Sequence, residues 1–550
     1  MNENNEIKHL SFVKKAMLSI KQSSPENAFY AGLYIIFGIT LLIISLVIFL
    51  GTLTVTVPKY NTTLSVGSIE QPRYFTPIYA SQDMEKIISA LLYSGLYKKN
   101  ITGNYDYDLA EEIVKNEDGT EIKVKLKSDA EFANGRTITS DDVIFTYTLL
   151  SDPLVRATDK VRYEGLSFER VDDKTFNIKL KKPFPYIEEL LTAGILSADE
   201  YKNKPVDNLV LSEVNQYPTE SGMYEVSDST LDGNGKIKSL ELVSNSNYVG
   251  KRPYIKYINI NYYSNTSDMI KDVNSGKLDV VFDIDQDSRK QITSKSYKDF
   301  TYTLPRIVAI FLNANKKESF AKKDVREELY SAIDRNVFSD AGVATFDMLP
   351  GSSQLATTSV TEYATSTFTL TLPDMDRRIS VANKIKEMLA QKGIDMTLDI
   401  RDQNDLNQNI IRNRDYEALL STIEIQSPSD LYAFWHSSQR NAPGLNISSY
   451  TSKTFDQALE TIKTATNKNI TDEQLQKIRT EFYDEYPYIP LYTPTRSIVY
   501  KNNLNAEIPS SINSSKDLIS NINYWWNDTE KVWPIFMNEK IINKIYTLLH

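Results

Sequence analysis

An apolar run without any charged side chain extends from Phe29 to Val57, between Glu26 and Lys59. A helix rises about 1.5 Å per residue, so about 20 such residues span the roughly 30 Å hydrocarbon core of a bilayer. A cleaved signal peptide has a shorter apolar region of about 7–15 residues, followed by a cleavage site of small residues, and segment 51–58 offers no such site. A buried core helix is the other alternative. We expect residues 29–57 to form one uncleaved transmembrane anchor helix.

The charges beside this run predict its orientation. Four lysines precede it within residues 1–28, and an excess of Lys before a first membrane span favours a cytoplasmic N-terminus. No second apolar run of comparable length follows in the sequence. We therefore expect a single-pass protein of the cell membrane, with a cytoplasmic segment at residues 1–28 and a large extracytoplasmic part from residue 59.

The scarcity of cysteine and histidine excludes several kinds of active site. The chain has no Cys and only three His, at positions 9, 436 and 550. Disulfides and thiol nucleophiles are therefore excluded, and a His-based triad or a multi-His zinc site is hard to assemble. The net charge is −10, which disfavours nucleic acid and anionic lipid as partners. We expect no enzymatic activity, no metal and no cofactor.

The exterior part alternates helical and strand patterns, which is typical of α/β folds. Residues 83–94 carry apolar side chains four apart, as a helix does, and residues 121–127 alternate apolar and charged side chains, as a half-exposed strand does. Thr139 is expected to cap a helix, with Asp141 and Asp142 in its first turn. Further elements follow to about residue 500: strands at 239–243, 257–263, 307–312 and 396–400, and helices at 324–338 and 379–392.

Seven segments, taken in order, resemble the extracytoplasmic solute-binding proteins of family 5, the peptide- and nickel-binding receptors of ABC importers. Each segment alone is weak, but their order and spacing together are specific, and they cover about residues 64–535. The segments are Gly95–Tyr97 with Asp108–Ala110, Phe132–Tyr147, Asn245–Tyr248 with Lys251–Tyr254, Ser275–Asp279, Phe311–Asn313 with Val325, Arg326 and Ala332–Arg335, Ile379–Gly393, and Tyr486–Tyr492.

The resemblance implies a two-lobed α/β clamp of the large periplasmic-binding-protein class, whose lobes close on a ligand by hinge motion. Lobe I would comprise residues 59–304, with a small subdomain at about 97–165. Lobe II would be an insertion at 305–495, and residues 496–550 would return to lobe I and form the C-terminal tail. The family also implies a monomer that captures peptides and delivers them to the permease subunits of an ABC importer.

The resemblance places the amino group of a peptide ligand at Glu424. Family members commonly carry an acidic residue here, four residues before a proline, which is Pro428 in this chain. The family usually has Asp followed by Tyr, whereas this chain has Glu424 and Ile425, so the longer carboxylate shifts the register of the ligand. An interlobe salt bridge is the alternative role of Glu424. Asn404 lies in a loop that the family places near the same ligand.

Five more residues are expected at the ligand. Thr422 and Ile423 lie on the strand that offers backbone groups to an extended peptide. Trp435 forms the wall of a side-chain pocket, unless it packs in the core. Ser81 and Gln82 precede the first helix, where open N–H groups favour an anion such as the peptide carboxylate.

Other functions stay open at this point. The same fold also binds nickel chelates, haem or oligosaccharides, and the scarcity of His makes nickel the less favoured of these. A cell-surface peptidase or glycosidase is a second class, because Asp and Glu are plentiful enough for a carboxylate pair, although no motif indicates one. A third is a surface adhesin or chaperone that works without a transporter.

Overall fold

The computed structural model describes residues 24–52, 54–152, 155, 160–163, 165–184, 186–202, 204–215, 219–233, 235–353, 367–442, 444–465 and 468–532. The chain divides into two compact units. One comprises residues 1–59 together with 528–550, and the other comprises residues 60–527.

The first unit contains an apolar helix and a two-stranded ladder. Helix α1 (Pro25–Thr52) is, by length and composition, the one described helix that could cross a membrane. It ends before the apolar run does, because strand β1 (Val55–Pro58) takes the last residues of the run and pairs with strand β20 (Thr529–Val532). The alternating Thr and Val residues there are β-branched, which favours a strand. The helix therefore occupies residues 25–52 rather than 29–57.

The second unit is built from the remaining strands and helices. Its strands are β2 (Thr62–Ser68), β3 (Tyr97–Lys99), β4 (Tyr105–Tyr107), β5 (Ala110–Lys115), β6 (Glu121–Leu126), β7 (Leu166–Arg170), β8 (Thr175–Leu180), β9 (Tyr224–Leu231), β10 (Ile237–Ser244), β11 (Ile255–Tyr262), β12 (Val280–Ile284), β13 (Tyr297–Thr303), β14 (Arg306–Leu312), β15 (Gly342–Ala344), β16 (Thr367–Pro373), β17 (Asp395–Arg401), β18 (Ala418–Glu424) and β19 (Tyr488–Lys501). Its helices are α2 (Asp83–Leu92), α3 (Ser140–Ser151), α4 (Ile187–Leu190), α5 (Ala198–Tyr201), α6 (Thr266–Asn274), α7 (Gln286–Lys290), α8 (Lys323–Ala332), α9 (Asp376–Ala390), α10 (Gln403–Asp405), α11 (Leu431–Trp435), α12 (Lys453–Lys463) and α13 (Lys468–Glu485).

Twelve of the described strands form one mixed sheet. Its order is β17-β16-β18-β14-β19-β12-β2-β11-β10-β9, and β13 and β15 also pair with β19. β19 is 14 residues long and joins the two halves of this sheet, since its first part pairs with β14 and its last part with β12. Parallel and antiparallel pairs both occur, and helices connect many of the strands. The predicted α/β class is confirmed.

The buried apolar residues of this unit fall into separate clusters. One cluster draws on residues 64–304 and 498–525, a second on residues 307–492, and a small third cluster surrounds α6 and β12. The chain changes from the first cluster to the second between Leu304 and Ile307, and returns between Tyr492 and Ile498. Two separately packed cores are what two lobes require, and the lobe boundaries given above stay predictions.

A smaller antiparallel sheet, in the order β5-β6-β8-β7, lies within residues 110–180. Helix α3 follows β6 and begins where the sequence predicted, because Thr139 and Asp142 form a capping box. The Asp142 carboxylate also pairs with Arg136 at 2.6 Å and accepts the Ala198 N–H at 2.9 Å. This carboxylate is therefore fully used in holding the local structure.

The helix predicted at 324–338 is wrong at its C-terminal end, since α8 stops at Ala332. The Arg335 side chain, which would have lain on that helix, is instead buried. It donates to the carbonyl oxygens of Pro490, Tyr330 and Ile333 at 2.7–3.1 Å. These three bonds satisfy carbonyls at the end of α8 and fix the chain against β19.

Candidate ligand-binding site

The candidate site begins at the N-terminus of α2. Gln82 caps the helix, and Glu85 closes a capping box with it. The Glu85 carboxylate accepts the backbone N–H groups of Arg73, Ser81 and Gln82 at 2.8–3.0 Å. The N–H groups expected to receive an anion at Ser81 and Gln82 are thus already bonded within the protein. A ligand role for these two residues would have to use other atoms, and it stays a prediction.

A network of charged side chains joins α2 to β14 and β18. The antiparallel register places Arg306, the first residue of β14, directly opposite Glu424, the last residue of β18. Arg306 binds Asp83 of α2 through two nitrogens at 2.7 and 2.5 Å, and binds Glu424 through Nε at 3.0 Å. Lys86 Nζ lies 3.1 and 3.2 Å from the two Glu424 oxygens, and Gln426 donates to one of them at 2.7 Å.

The Glu424 carboxylate therefore accepts hydrogen bonds from three protein side chains, two of them cationic. This geometry corresponds to the salt bridge named above as the alternative to a ligand contact. Its partners come from α2 in the first core cluster and from β14 in the second. The ligand role of Glu424 stays a prediction, and any ligand ammonium would have to compete with Lys86 for this carboxylate.

Burial and opposite charges act against each other on the pKa values of this network. Burial raises the pKa of Asp83 and of Glu424, but the hydrogen bonds and charges of their cationic partners outweigh it, so both pKa values lie below the usual range. Burial lowers the pKa of Arg306, but its bonds to the two carboxylates raise that pKa above its ordinary value. All three groups are therefore charged at neutral pH.

A cavity of about 200 Å³ lies beside this network. Lys86 and Gln426 line the cavity and also bond Glu424. Two pairs of opposite charge lie in the wall, Lys99 with Asp517 at 2.9 Å and Arg162 with Glu189 at 2.8 Å. Aromatic rings offer a large apolar contact area to a ligand. The rings in the wall are those of Tyr93, Tyr97, Tyr105, Tyr163 and Tyr248.

β18 has an open edge where it approaches this network. On one side it pairs with β14 along all seven residues, 418–424. On the other side it pairs with β16 only at Ala418 and Leu419, so no described strand pairs with residues 420–424 there. An extended peptide can bind such an edge through main-chain hydrogen bonds. Thr422 and Ile423 lie in this stretch, and the Thr422 hydroxyl accepts a bond from Arg378 at 2.5 Å.

Trp435 and Asn404 do not line the cavity. Trp435 is 1% exposed, and its ring centroid lies 4.4 Å from that of Tyr488 and 6.3 Å from that of Phe311. It therefore packs in the core, which is the alternative given above. Asn404 is exposed after the edge strand β17, and its N–H donates to Asp402. The structure places Thr422, Ile423 and Glu424 on one strand, whereas Trp435 and Asn404 lie outside the cavity.

A group of carboxylates adjoins the network at Asp83. Glu70, Asp83 and Asp283 offer oxygens that all lie within 4.8 Å of one another. Oxygen ligands of this kind suit a hard cation, but Arg306 and Arg496 already pair with Asp83 and Asp283 at 2.5 and 2.9 Å. We assign no metal here. Burial, reinforced by the two neighbouring carboxylates, raises the pKa of Glu70 to about 7.

Replacing Glu70 with Gln is expected to reduce the pH dependence of stability between about pH 5 and 8. The pKa of Glu70 is about 7 in the folded chain against an ordinary 4.5, so the folded state binds the extra proton in this range. The free energy of unfolding therefore falls as the pH rises through it, by about 1–3 kcal/mol for this group. Gln is uncharged and can still accept the Met84 N–H, now 3.1 Å from Glu70. Denaturant titrations at pH 5 and pH 8 measure the free energy of unfolding of the parent and of the variant. An equal fall between the two pH values in both proteins would contradict this prediction.

Comparison with known sequences gives relatives over most of the chain. The family profile described as bacterial extracellular solute-binding proteins, family 5 middle, matches residues 104–364. The oligopeptide-binding protein AppA of Bacillus subtilis is 24% identical over 513 residues, which is 85% of this chain and 92% of AppA. The nickel-binding protein NikA of Staphylococcus aureus is 22% identical over 250 residues, which is 44% of this chain and 46% of NikA.

Solved structures share the fold. AppA from Bacillus subtilis in complex with a nonapeptide superposes with a TM-score of 0.72 at 23% identity, over 86% of this chain and 100% of AppA. NikZ from Campylobacter jejuni in complex with Ni(L-His) superposes with a TM-score of 0.71 at 18% identity, over 84% of this chain and 99% of NikZ. These similarities confirm the predicted clamp fold, and the ligands are those of the two relatives.

The sequence interpretation missed the partners of Glu424 and the tyrosine wall. Lys86 follows Asp83 by three residues, and this helical spacing indicates that both face the same side of α2. The clustering of Tyr93, Tyr97 and Tyr105 was a further visible signal. Nothing local marks Arg306 as the partner of Glu424, because the two residues meet only through strand register.

Proposed function

Because the chain belongs to the bacterial extracellular solute-binding proteins of family 5, we propose that it is a membrane-anchored receptor that captures peptides and delivers them to an ABC importer. The family consists of binding proteins, and we infer that this chain releases its ligand chemically unchanged. The match to an oligopeptide-binding protein over 85% of the chain supports peptide as the solute.

The contact between Lys86 and Glu424 is the observation that carries the peptide proposal. It puts a primary ammonium within 3.1 and 3.2 Å of both oxygens of a carboxylate. The amino terminus of a peptide is also a primary ammonium, so it can take the place of Lys86 at the same oxygens. The side chain of Glu424 is 23% exposed, and its partners Lys86 and Gln426 line the cavity. A charge-assisted bond of this kind contributes about 1.5–3 kcal/mol.

The open edge of β18 supplies the second part of the proposal. A peptide held at Glu424 would extend along residues 420–424, with main-chain bonds at Thr422 and Ile423. The cavity of about 200 Å³ is smaller than the roughly 300–1,000 Å³ of a pocket for a whole drug-sized ligand. We therefore propose that this cavity holds only one or two residues of the peptide. The tyrosine rings would contact their side chains without selecting one side-chain type.

We further propose that α1 anchors the receptor in the cell membrane, with residues 1–28 cytoplasmic and residues 59–550 outside. α1 carries one charged residue, Glu26 in its first turn, and it exposes its large apolar side chains. The lysines before it favour this orientation. Peptide capture would bring lobe I (59–304 and 496–550) and lobe II (305–495) together by bending at the two places where the chain passes between their cores.

A nickel chelate is the second candidate, because NikA and NikZ are among the relatives. His436 is the one histidine among the described residues. Its Nε2 lies 3.7 Å from both Asp456 and Glu460, and none of the three lines the cavity beside Glu424. This placement favours peptide over nickel.

Calorimetric titration of the full-length protein in lipid nanodiscs tests the proposal. Short peptides with free amino termini, up to a nonapeptide such as the one bound by AppA, and the Ni(L-His) chelate serve as probes. We expect saturable single-site binding of peptides, full recovery of intact peptide, and no heat from the chelate. Binding of the chelate without binding of any peptide, or steady cleavage of the peptide, would overturn the proposal.

A further inference from the structure

The wall of the cavity beside Glu424 carries more positive than negative charge. Among the described residues that line it, five side chains are cationic and three are anionic. The cationic set is Lys86, Lys98, Lys99, Arg162 and Lys516, and the anionic set is Asp108, Glu189 and Asp517. The chain as a whole has a net charge of −10, so this excess is local and opposite to the overall balance. Such a wall attracts a carboxylate on a ligand and repels an ammonium.

Each of the three described carboxylates has a cationic neighbour within the wall itself. A third pair, Lys98 with Asp108 at 4.0 Å, joins the two pairs already described. Lys86 differs, because its partner Glu424 is not among the residues that line the cavity. In the described part of the chain, the positive charge of Lys86 is therefore neutralised from outside the wall.

Binding of a peptide amino group at Glu424 would separate Lys86 from this partner. The ligand ammonium would take the place of the Lys86 ammonium, which lies 3.1 and 3.2 Å from the two Glu424 oxygens. The Lys86 side chain is 18% exposed, and a charge that stays partly desolvated after losing its partner costs free energy. Because Lys86 lines the cavity, a carboxylate on the ligand residue held there can restore the pairing.

We propose that the cavity selects peptides with an acidic side chain at the first or second residue, and that Lys86 binds this carboxylate once the ligand ammonium has displaced it from Glu424. This inference rests on the proposed function, because it presumes that a peptide amino group binds Glu424. One ion pair of the empty protein is then exchanged for two in the complex. A neutral side chain gains only the first of these pairs, and a basic side chain is repelled by the excess of positive charge in the wall.

Calorimetric titration of the full-length protein in lipid nanodiscs with nonapeptide amides of one shared neutral sequence tests this specificity. The terminal amide leaves the acidic side chain as the only carboxylate of the ligand. Peptides with Asp at the first residue or Glu at the second are compared with peptides carrying Asn or Gln there, which match them in size. We expect the better of the two acidic peptides to bind about 5- to 20-fold more tightly than its neutral counterpart, as suits a partly exposed ion pair.

Three variants test whether Lys86 is the residue responsible. Lys86→Met removes both the competitor for Glu424 and the partner of the ligand carboxylate, so neutral peptides should bind more tightly than to the parent and the preference for acidic peptides should disappear. Lys86→Arg keeps the positive charge and should keep the preference. Lys290→Met is the matched control, since Lys290 also lies on a helix and pairs with a carboxylate, that of Asp287, at 3.1 Å, but does not line the cavity.

The outcomes separate this inference from the proposed function. Equal affinities of the parent for acidic and neutral peptides, or a preference for acidic peptides that persists in the Lys86→Met variant, would overturn the inference and leave peptide capture standing. A failure of the parent to bind any of these peptides would contradict peptide capture, and the inference with it.

Discussion

Replacing Glu424 with Gln is expected to weaken the binding of a peptide with a free amino terminus by roughly 10- to 150-fold. The substitution keeps the shape of the side chain and removes the charge that pairs with the ligand ammonium, a contact worth about 1.5–3 kcal/mol. The same peptide with an acetylated amino terminus has no ammonium, so it should bind weakly to the parent and lose little in the variant. Calorimetry with both peptides measures the difference.

Glu417→Gln is the matched control for this substitution. Glu417 precedes the other end of β18, seven residues away from Glu424, and it lies 3.6 Å from Lys317. The Glu417→Gln variant should bind both peptides with the same affinities as the parent. Because Glu424 also pairs with Lys86 and Arg306, its replacement should lower the free energy of unfolding by about 1–3 kcal/mol, so titrations belong well below the melting temperature. Equal losses for both peptides, or none for either, would show that Glu424 is only a structural ion pair.

Replacing Arg306 with Met is expected to reduce the free energy of unfolding by about 3 kcal/mol at pH 7. The change leaves Asp83, whose side chain is 7% exposed, without the guanidinium that neutralises it, beside Glu70 and Asp283. Removing one partner of a buried ion pair costs this much because the remaining charge stays desolvated. The pKa of Asp83, now held low by Arg306, should rise in the variant. The folded variant would then bind protons more readily, so its stability should recover as the pH falls from 7 towards 5.

Arg170→Met provides the matched control, since Arg170 and Asp141 form an exposed pair in which the side chains are 43% and 62% exposed. Exposed pairs contribute about 0–1 kcal/mol, so this variant should unfold almost as the parent does. The double variant Arg306→Met with Asp83→Asn should recover part of the loss, because the unpaired charge is gone. If the Arg306→Met variant loses no more free energy of unfolding than the Arg170→Met variant, the network between α2, β14 and β18 does not stabilise the fold.

Local patterns were sufficient to predict much of the fold. The 3.6-residue periodicity of α2 and α9, the alternation in β6 and the cap at Thr139 all depend on neighbours along the chain. The end of α8 was not predictable in this way, because it depends on Arg335 reaching Pro490 in β19. The end of α1 differs for the same reason, since Val55–Val57 pair with residues more than 470 positions later.

The candidate site was only partly predictable, because its contacts join distant parts of the sequence. The position of Glu424 before Pro428 and the strand that carries Thr422 follow from the family resemblance. The salt bridge between Lys86 and Glu424 follows only from the folded chain, where α2 approaches the end of β18. Trp435 illustrates the converse, since a Trp beside an expected binding loop was equally compatible with the core, and the core is where it lies.

Mass spectrometry of the small molecules released by denaturing the freshly purified full-length protein is the most direct test of a peptide receptor. It presupposes no ligand, and the Glu424→Gln variant purified in parallel is its control. The account predicts a set of short peptides with free amino termini, of varied sequence, that is depleted in the variant. Recovery of a nickel chelate or another non-peptide solute in stoichiometric amount, with no peptide in either preparation, would contradict it.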